Sequence, residues 1–382
     1  MKRGSMSLER ALLVIVLTAA PALAQPPASP PPSPPPPVIS PEVHPDRSVT
    51  FRLRAPNAKE VFVQRDVGAR LAMQKDDQGV WSVTTEPLEP DIYGYSFAVD
   101  GVTHFDPSNP APVPNYLYTA SSLHVPGPAS LPWEEGDVPR GAVHHHFHHS
   151  SVVGDNRDFY VYTPPGYDAK AAKPYPVLYL LHGFSDDARG WTVVGRANVI
   201  LDNLIASGKA RPMLVVMPFG YGAPEILSKT GPQFRDVSLR QRNLRDFRET
   251  LLRDVMPMVE KLYRAGTDRE SRAVAGLSMG GGESLDVGLN ARDRFAWVGA
   301  FSSAVPDDPD AAFPGLDANT KPPLRLLWIA CGSEDFLTAA NHKFWDWLQA
   351  RQVPFTKIET AGGHTWPVWR RNLAAFAPLL FR

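Results

Sequence analysis

Cysteine is almost absent from this sequence: Cys331 is the only one in 382 residues. A single cysteine cannot form an internal disulfide, so a disulfide scaffold is excluded and the fold must depend on a packed core. Because Cys331 ends an apolar run, we expect a buried and unreactive thiol.

An excess of either charge is also lacking, since 39 basic and 40 acidic residues leave a formal net charge of −1. Nucleic-acid binding depends on clustered Lys and Arg, so the composition gives no reason to expect such a partner. Hydrophobic residues make up 43% and charged residues 21%, which is the balance of a globular protein. The length is sufficient for two domains of ordinary size.

The apolar run at residues 11–20 is too short to span a bilayer comfortably. The basic residues Lys2, Arg3 and Arg10 precede this run, and the small residues Ala22 and Ala24 follow it. This order predicts a signal peptide over residues 1–24 and export to the periplasm or the outside of the cell, without stable membrane insertion after cleavage. An uncleaved N-terminal anchor is the alternative.

Proline is abundant, and residues 25–41 consist mostly of Pro, Ala and Ser. Such a stretch predicts an extended polyproline II linker, with a Pro-rich ligand for another protein as the alternative. Residues 42–127 then predict a small β-sandwich, because short alternating segments are separated by turn signals. These segments are Val49–Leu53, Glu60–Gln64, Val80–Thr84 and Tyr93–Val99, and Val125–Pro128 resembles an exit linker.

Residues 128–382 predict an α/β domain, because strand-like and helix-like segments alternate and indicate a mainly parallel sheet. The predicted strands are Phe159–Tyr162, Val177–Leu181, Met213–Met217, Ala273–Ala275, Ala296–Phe301, Leu326–Ala330 and Phe355–Glu359. The predicted helices are Ala197–Ser207 and an amphipathic one with apolar residues from Leu244 to Leu262.

The motif Gly276-Leu-Ser278-Met-Gly280 directly follows an apolar strand and precedes a helical stretch. A tight strand-to-helix turn exposes the serine hydroxyl beside a base and requires small neighbours, so Ser278 is predicted to be a nucleophile of an α/β-hydrolase. In that fold an acid and then a histidine follow the serine. Glu334 and Asp335, after a later strand, are both candidate acids, and His364 in a glycine-rich loop is the candidate base.

An oxyanion hole requires two backbone N–H donors. Met279, the residue after the nucleophile, supplies one, and Phe184 in Leu181-His-Gly-Phe184 supplies the other. His182 precedes the serine by a long stretch and is expected to shape that loop rather than to act as a base.

From Gly141 onward the sequence resembles the esterase family of feruloyl, acetyl xylan and enterochelin (siderophore) esterases and esterase D, which is carbohydrate esterase family 1-like. The resemblance rests on Tyr162–Tyr167, Leu181–Phe184, Gly190-Trp191, Gly208-Lys209, Val215–Pro218, Gly276–Gly281, Gly363-His364 and Trp369-Arg370. It implies an α/β-hydrolase fold with a Ser278, Asp335 and His364 triad, and it selects Asp335 over Glu334. More weakly, Phe51–Pro56, Trp81, Tyr93–Tyr95 and Asp106-Pro107 resemble the early-set immunoglobulin-like domain that precedes such esterases, which is similar to carbohydrate-binding modules.

Aromatic residues near these loops suit a planar acyl group or a sugar, and Trp191 and Trp366 are predicted to contact substrate. Filling of the core is the alternative for each. Tyr116 and Tyr118, in the tail of the first domain, are expected to narrow the acyl pocket. His144, His146 and His148 would share a face of a strand, and that face could bind Zn²⁺ or Cu²⁺. The tract lacks a nearby carboxylate or cysteine and a serine mechanism needs no metal, so we expect neither a metal nor a cofactor, with metal binding by the histidines as the alternative.

The sequence therefore predicts an exported serine ester hydrolase that acts through an acyl-enzyme on feruloyl or acetyl esters of plant polysaccharide. The alternatives are a siderophore esterase, an acyltransferase to a sugar hydroxyl, and a non-catalytic carbohydrate-binding protein.

Overall fold

The computed structural model describes residues 36–228 and 236–382. The predicted signal peptide and most of the predicted linker lie outside the described residues. Residues Val38–Arg382 form one compact unit that contains both the β-sandwich and the α/β portion.

The N-terminal part is a β-sandwich, which we call the β-module, of two antiparallel sheets. One sheet has the order β1-β2-β6-β5, and the other has the order β4-β3-β7-β8 with β9 also paired to β7. The strands are β1 Glu42–Val43, β2 Val49–Arg54, β3 Val61–Arg65, β4 Leu71–Ala72, β5 Gln74–Lys75, β6 Val80–Thr84, β7 Asp91–Val99, β8 Val102–His104 and β9 Ser121–Val125. The alternation of the sequence places Phe51, Val63, Tyr95 and Phe97 in the core between the sheets. Val125 ends a strand, so the exit linker begins one residue later than predicted.

The second part is an eight-stranded sheet with the order β10-β11-β13-β12-β14-β15-β16-β17 among the described residues. The first two pairings are antiparallel and the others are parallel. The strands are β10 Ala142–His149, β11 Asn156–Thr163, β12 Val177–Leu181, β13 Leu214–Pro218, β14 Arg272–Leu277, β15 Trp297–Phe301, β16 Leu326–Gly332 and β17 Thr356–Thr360. The central parallel strands are buried on both faces, which explains their continuous apolar sequences.

Helices cover both faces of this sheet and divide its core into two clusters. They are α1 Gly190–Val193, α2 Ala197–Ala206, α3 Val237–Thr250, α4 Met256–Leu262, α5 Met279–Asn290, α6 Pro309–Ala312, α7 Thr338–Ala350 and α8 Trp366–Phe376. A π-helical turn, Leu251–Val255, joins α3 to α4, so the predicted amphipathic helix is present with one local irregularity. Cys331, in β16, is buried as expected.

A buried ion pair joins the β-module to α8. Arg370 donates from Nε and Nη2 to Asp91 Oδ1 at 3.0 and 2.6 Å, and from Nη1 to the Val194 carbonyl at 2.8 Å. Both side chains of the pair have no exposed surface. Because α8 starts two residues after His364, this pair fixes the helix that follows the histidine loop. Within the described residues, no helix combines the length and apolar character needed to cross a membrane.

Candidate active site

Ser278 lies at a sharp turn between β14 and α5. Its φ of 52° is in the left-handed region, which L-residues seldom adopt and which is typical of strained functional sites. The Ser278 N–H donates to the Phe301 carbonyl at 2.8 Å, so the neighbouring strand β15 holds the turn.

The glycines of the motif are required by close packing. A Cβ on Gly276 would collide with the Gly280 carbonyl group, and a Cβ on Gly280 would collide with the carbonyl oxygen of His182. The start of α5 can therefore lie against the end of β12 only if both positions lack a side chain.

His364 connects the serine to an acid. Its Nε2 is 2.9 Å from Ser278 Oγ, and its Nδ1 is 2.8 Å from Asp335 Oδ2. The Asp335 side chain is fully buried, and the His364 side chain is 18% exposed. The three residues come from the ends of three different strands of the sheet.

The structure distinguishes the two candidate acids by position. Asp335 contacts His364, whereas Glu334 is exposed and its N–H donates to the Gly362 carbonyl at 3.0 Å. Burial favours the neutral form of Asp335, but the hydrogen bond and charge of His364 and the Leu337 N–H outweigh it and lower the pKa of Asp335. Asp335 is thus suited to remain ionised beside an imidazole.

Aromatic rings contact His364 on two sides. Phe336 lies 4.5 Å from the imidazole between ring centroids and is 76% exposed, while the buried Trp369 packs edge-on at 4.9 Å. Phe336 was not among the residues predicted for the site, although its position next to Asp335 in the sequence is a signal for it.

The structure corrects the predicted substrate contacts of Trp191 and Trp366. Trp191 has no exposed surface and donates from Nε1 to the Leu181 carbonyl at 2.8 Å, and Trp366 is 8% exposed. The two rings pack edge to face in the core cluster, with 5.2 Å between their centroids, so both are core residues.

The loop after β12, residues 183–186, lies against Ser278, and we call it the oxyanion loop after the role that the sequence predicts for Phe184. A Cβ built on Gly183, the residue before Phe184, would be 3.4 Å from Ser278 Cβ. On the other side of Ser278, Met279 begins α5, and the first N–H groups of a helix have no intrahelical partner.

His182 supports the oxyanion loop and does not contact the serine. Its Nδ1 lies 2.9 Å from the Gly183 carbonyl oxygen, and its Nε2 accepts from the Gly220 N–H at 2.9 Å. Burial lowers the pKa of His182, so the ring is neutral and donates from Nδ1. The Gly183 carbonyl also accepts from the Tyr221 hydroxyl at 3.3 Å.

A fully buried carboxyl, Glu283, lies one turn into α5. Asn243 donates to its Oε1 at 3.0 Å, and Oε2 has no hydrogen-bond partner. Burial raises the pKa of Glu283 well above its usual range. No sequence signal identified this residue, because a glutamate in a helix is usually exposed.

The histidine tract forms β10 at the edge of the sheet. His145 lies 2.7 Å from Asp158 and His146 lies 2.6 Å from the Tyr263 hydroxyl. Within residues 36–228 and 236–382, no group of three or more His, Cys, Asp or Glu side chains could hold a metal ion.

Residues 150–380 match the family model Esterase, whose description reads "Putative esterase". The chain belongs to this esterase family. Among curated proteins, the chain is 30% identical over 359 residues to an endo-1,4-beta-xylanase/feruloyl esterase of Xylanibacter ruminicola, covering 90% of the chain and 46% of that protein. It is 22% identical over 231 residues to an acetyl esterase of Caldicellulosiruptor saccharolyticus, covering 52% of the chain and 80% of that protein.

Solved structures share the fold of this chain. A ferulic acid esterase of Anaeromyces mucronatus covers 67% of the chain and 96% of its own length, with a TM-score of 0.58 and 24% identity. The enterobactin esterase of Shigella flexneri covers 87% of the chain and 92% of its own length, with a TM-score of 0.64 and 19% identity. These likenesses confirm the α/β fold predicted from the sequence.

Proposed function

We propose that this protein is an exported serine carboxylic-ester hydrolase that acts on feruloyl or acetyl esters of plant polysaccharide. The observation that carries the proposal is the pair of hydrogen bonds from His364, to Ser278 Oγ at 2.9 Å and to Asp335 at 2.8 Å. This arrangement, at a strained strand-to-helix turn, is that of an activated nucleophile with an oriented base.

In the proposed reaction, His364 Nε2 takes the proton of Ser278 as Oγ attacks the ester carbonyl carbon. The backbone N–H groups of Met279 and Phe184 stabilise the negative oxygen that forms. His364 then protonates the leaving alcohol oxygen, the C–O bond breaks and an acyl-enzyme remains. A water molecule gives a proton to His364 as its oxygen attacks the acyl carbon. The bond between the acyl carbon and Ser278 Oγ then breaks, His364 returns the proton to Oγ, and the acid is released.

Asp335 acts on the imidazole rather than on the substrate. Its carboxylate accepts a hydrogen bond from the Nδ1–H group, which leaves Nε2 free to accept the serine proton and stabilises the imidazolium. The lowered pKa of Asp335 keeps this carboxylate charged at neutral pH.

The substrate class is supported by the proteins that the chain resembles and by exposed aromatic rings, one of which, Phe336, lies beside His364. The Xylanibacter ruminicola and Caldicellulosiruptor saccharolyticus proteins are a feruloyl esterase and an acetyl esterase by name. Phe336 and Tyr118 are 76% and 66% exposed, and exposed rings offer planar surfaces to a sugar or an aromatic acid. Export follows from the signal peptide predicted over residues 1–24.

A siderophore lactone is the second candidate substrate. The Shigella flexneri enterobactin esterase covers 87% of the chain, which is a larger share than the 67% covered by the ferulic acid esterase. The alignment therefore extends over part of the β-module as well as the α/β portion.

The test measures ester hydrolysis by the purified protein and its Ser278→Ala variant on methyl ferulate, 4-nitrophenyl acetate and a catecholate trilactone. Ser207→Ala, an exposed serine on a distant helix end, is the matched control. Ferulate release by the wild type and by Ser207→Ala, but not by Ser278→Ala, supports both Ser278 as the nucleophile and a feruloyl ester as the substrate. Undiminished turnover by Ser278→Ala would refute the nucleophile, and turnover of the trilactone alone would select the second candidate.

A further inference from the structure

The segment between β8 and β9 of the β-module reaches the oxyanion loop. Asn115 Nδ2 donates to Ser185 Oγ at 3.0 Å and to Asp186 Oδ1 at 2.9 Å. The Tyr116 N–H donates to the Ser185 carbonyl at 2.8 Å. Three hydrogen bonds therefore join this segment to two consecutive residues of the loop.

The orientation of the Asn115 amide is fixed from within the β-module. Its Oδ1 accepts the N–H groups of Leu117 and Tyr118 at 3.0 and 2.9 Å. Because Oδ1 is occupied by donors, Nδ2 must face the oxyanion loop. The amide thus acts as a rigid donor rather than as a mobile surface group.

Asp186 links Asn115 to the start of the oxyanion loop. It is 6% exposed, and its N–H donates to the Gly183 carbonyl at 3.3 Å. Burial raises the pKa of Asp186 to about 7, while the Asn115 amide and the Gly183 N–H, which both face the carboxyl, oppose the rise. The carboxyl that Asn115 holds therefore closes the turn that contains Phe184.

The loop needs support from outside itself. Ser185 has a φ of 73°, in the left-handed region that is unfavourable for serine. His182 and Tyr221 hold the Gly183 carbonyl from the core side, and Tyr221 also contacts the Ser185 backbone and donates to the Asp186 carbonyl at 3.0 Å. The hydrogen bonds to the Ser185 hydroxyl and carbonyl come from Asn115 and Tyr116 of the β-module. Removal of the outer support would let the turn relax while the inner contacts remain.

We propose that Asn115 is a positioning residue, through which the β-module fixes the oxyanion loop so that the Phe184 N–H points to the site of the developing negative oxygen. The inference rests on the proposed function and assigns the β-module a part in rate enhancement, beyond any contact with polysaccharide. Asn115 acts through Ser185 and Asp186 and does not itself touch the reacting atoms.

A displaced oxyanion donor weakens binding of the transition state but not of the substrate. We therefore expect Asn115→Ala to lower kcat by about 10–100-fold and to leave KM within about 2-fold, since loss of a whole donor costs ~10²–10³ in rate. 4-Nitrophenyl acetate is the substrate for this test, because its small acyl group reports on the loop and not on a bulky-acyl pocket.

A charge swap separates positioning from general stability. Asn115→Asp alone places two carboxyl groups together and is expected to lose activity as well. Combined with Asp186→Asn, it exchanges amide and carboxylate and restores the hydrogen bond, so kcat should return to within about 3-fold of wild type. Asn109→Ala is the matched control. The described hydrogen bonds that the Asn109 side chain donates go to Tyr95 and Ser122, which both belong to the β-module.

The expected result is a selective loss of kcat in Asn115→Ala, recovery in the swap, and a near wild-type kcat for Asn109→Ala even where its Tm falls. Wild-type kcat in Asn115→Ala, a loss through KM alone, or equal losses in the alanine variants at both positions would overturn the proposal. Should Asn115→Ala fail to fold, Asn115→Ser decides by the same measurements. An inactive wild type overturns the proposed function as well, whereas an active wild type with an inactive Ser278→Ala confines any failure to Asn115.

Discussion

The two adjacent arginines of α8 bind the same carboxylate but are expected to differ widely in their effect on stability. Arg370 has no exposed side-chain surface and donates twice to Asp91 Oδ1, as well as to the Val194 carbonyl and to that of Ile92. Arg371 is 40% exposed and donates once to Asp91 Oδ2 at 2.9 Å. Replacement of each by methionine keeps a similar side-chain length and removes the charge.

Arg370→Met leaves a buried carboxylate without its main partner and removes the hydrogen bonds that Arg370 donates to two carbonyl groups. Loss of one partner of a buried ion pair costs ~3–5 kcal/mol. For a chain of this size that cost corresponds to a Tm lowered by roughly 5–15 °C. Arg371→Met loses a partly solvated ion pair, for which ~0.2–1 kcal/mol and a shift of about 2 °C are expected.

Thermal unfolding of the three proteins at one scan rate, followed by tryptophan fluorescence, measures the difference. Arg370→Lys is a useful third variant, because it keeps the charge but loses the forked geometry and should fall between wild type and Arg370→Met. Equal Tm shifts for the two methionine variants would refute the view that burial of the Arg370 ion pair fixes the β-module to α8.

Three further predictions concern the site and its support. Asp335→Asn should lower kcat by ~10⁴ because the amide no longer fixes the histidine tautomer, while Glu334→Gln, on an exposed side chain, should retain activity in the same ester assay. Burial raises the pKa of Glu283 in the folded state, so the contribution of this carboxyl to stability is lost as pH rises above 4.5. Glu283→Gln should therefore make the free energy of unfolding by urea, compared at pH 5 and pH 8, fall less steeply toward high pH by up to ~1.4 kcal/mol per pH unit, and an unchanged pH dependence would show that this carboxyl is not the source. Gly276→Ala should reduce kcat at least ~10²-fold by displacing the nucleophile, whereas Gly136→Ala, with nothing nearer than 3.5 Å to the new Cβ, should leave kcat and Tm near wild type.

Local patterns predicted the elements that position the nucleophile. The strand before Ser278 and the helix after it were evident because a continuous apolar run meets a glycine-rich turn, and the tight packing of Gly276 against Gly280 explains why that signal is specific. Val177–Leu181 was predicted with its observed bounds, because a strand buried on both faces differs from its polar flanks.

Contacts between segments that are far apart in the sequence could not be predicted from it. Trp191 and Trp366 lie next to the loops of the site in sequence, but only the fold shows that their rings pack against each other in the core. The choice between Glu334 and Asp335 came from a family resemblance, since both are acids in one turn and only the three-dimensional path of the His364 loop separates them. Asn115 is 70 residues from Ser185, and its partner in the loop has no local signature.

The single buried thiol has a practical consequence for experiments in solution. Burial, together with the charge of Asp335, raises the pKa of Cys331 to about 11, so at pH 8 only ~10⁻³ of the thiol is in the reactive thiolate form. An alkylating dye should therefore leave the native wild-type protein unlabelled. A cysteine introduced at an exposed position such as Tyr118 would then be modified alone, without any need to remove a native cysteine.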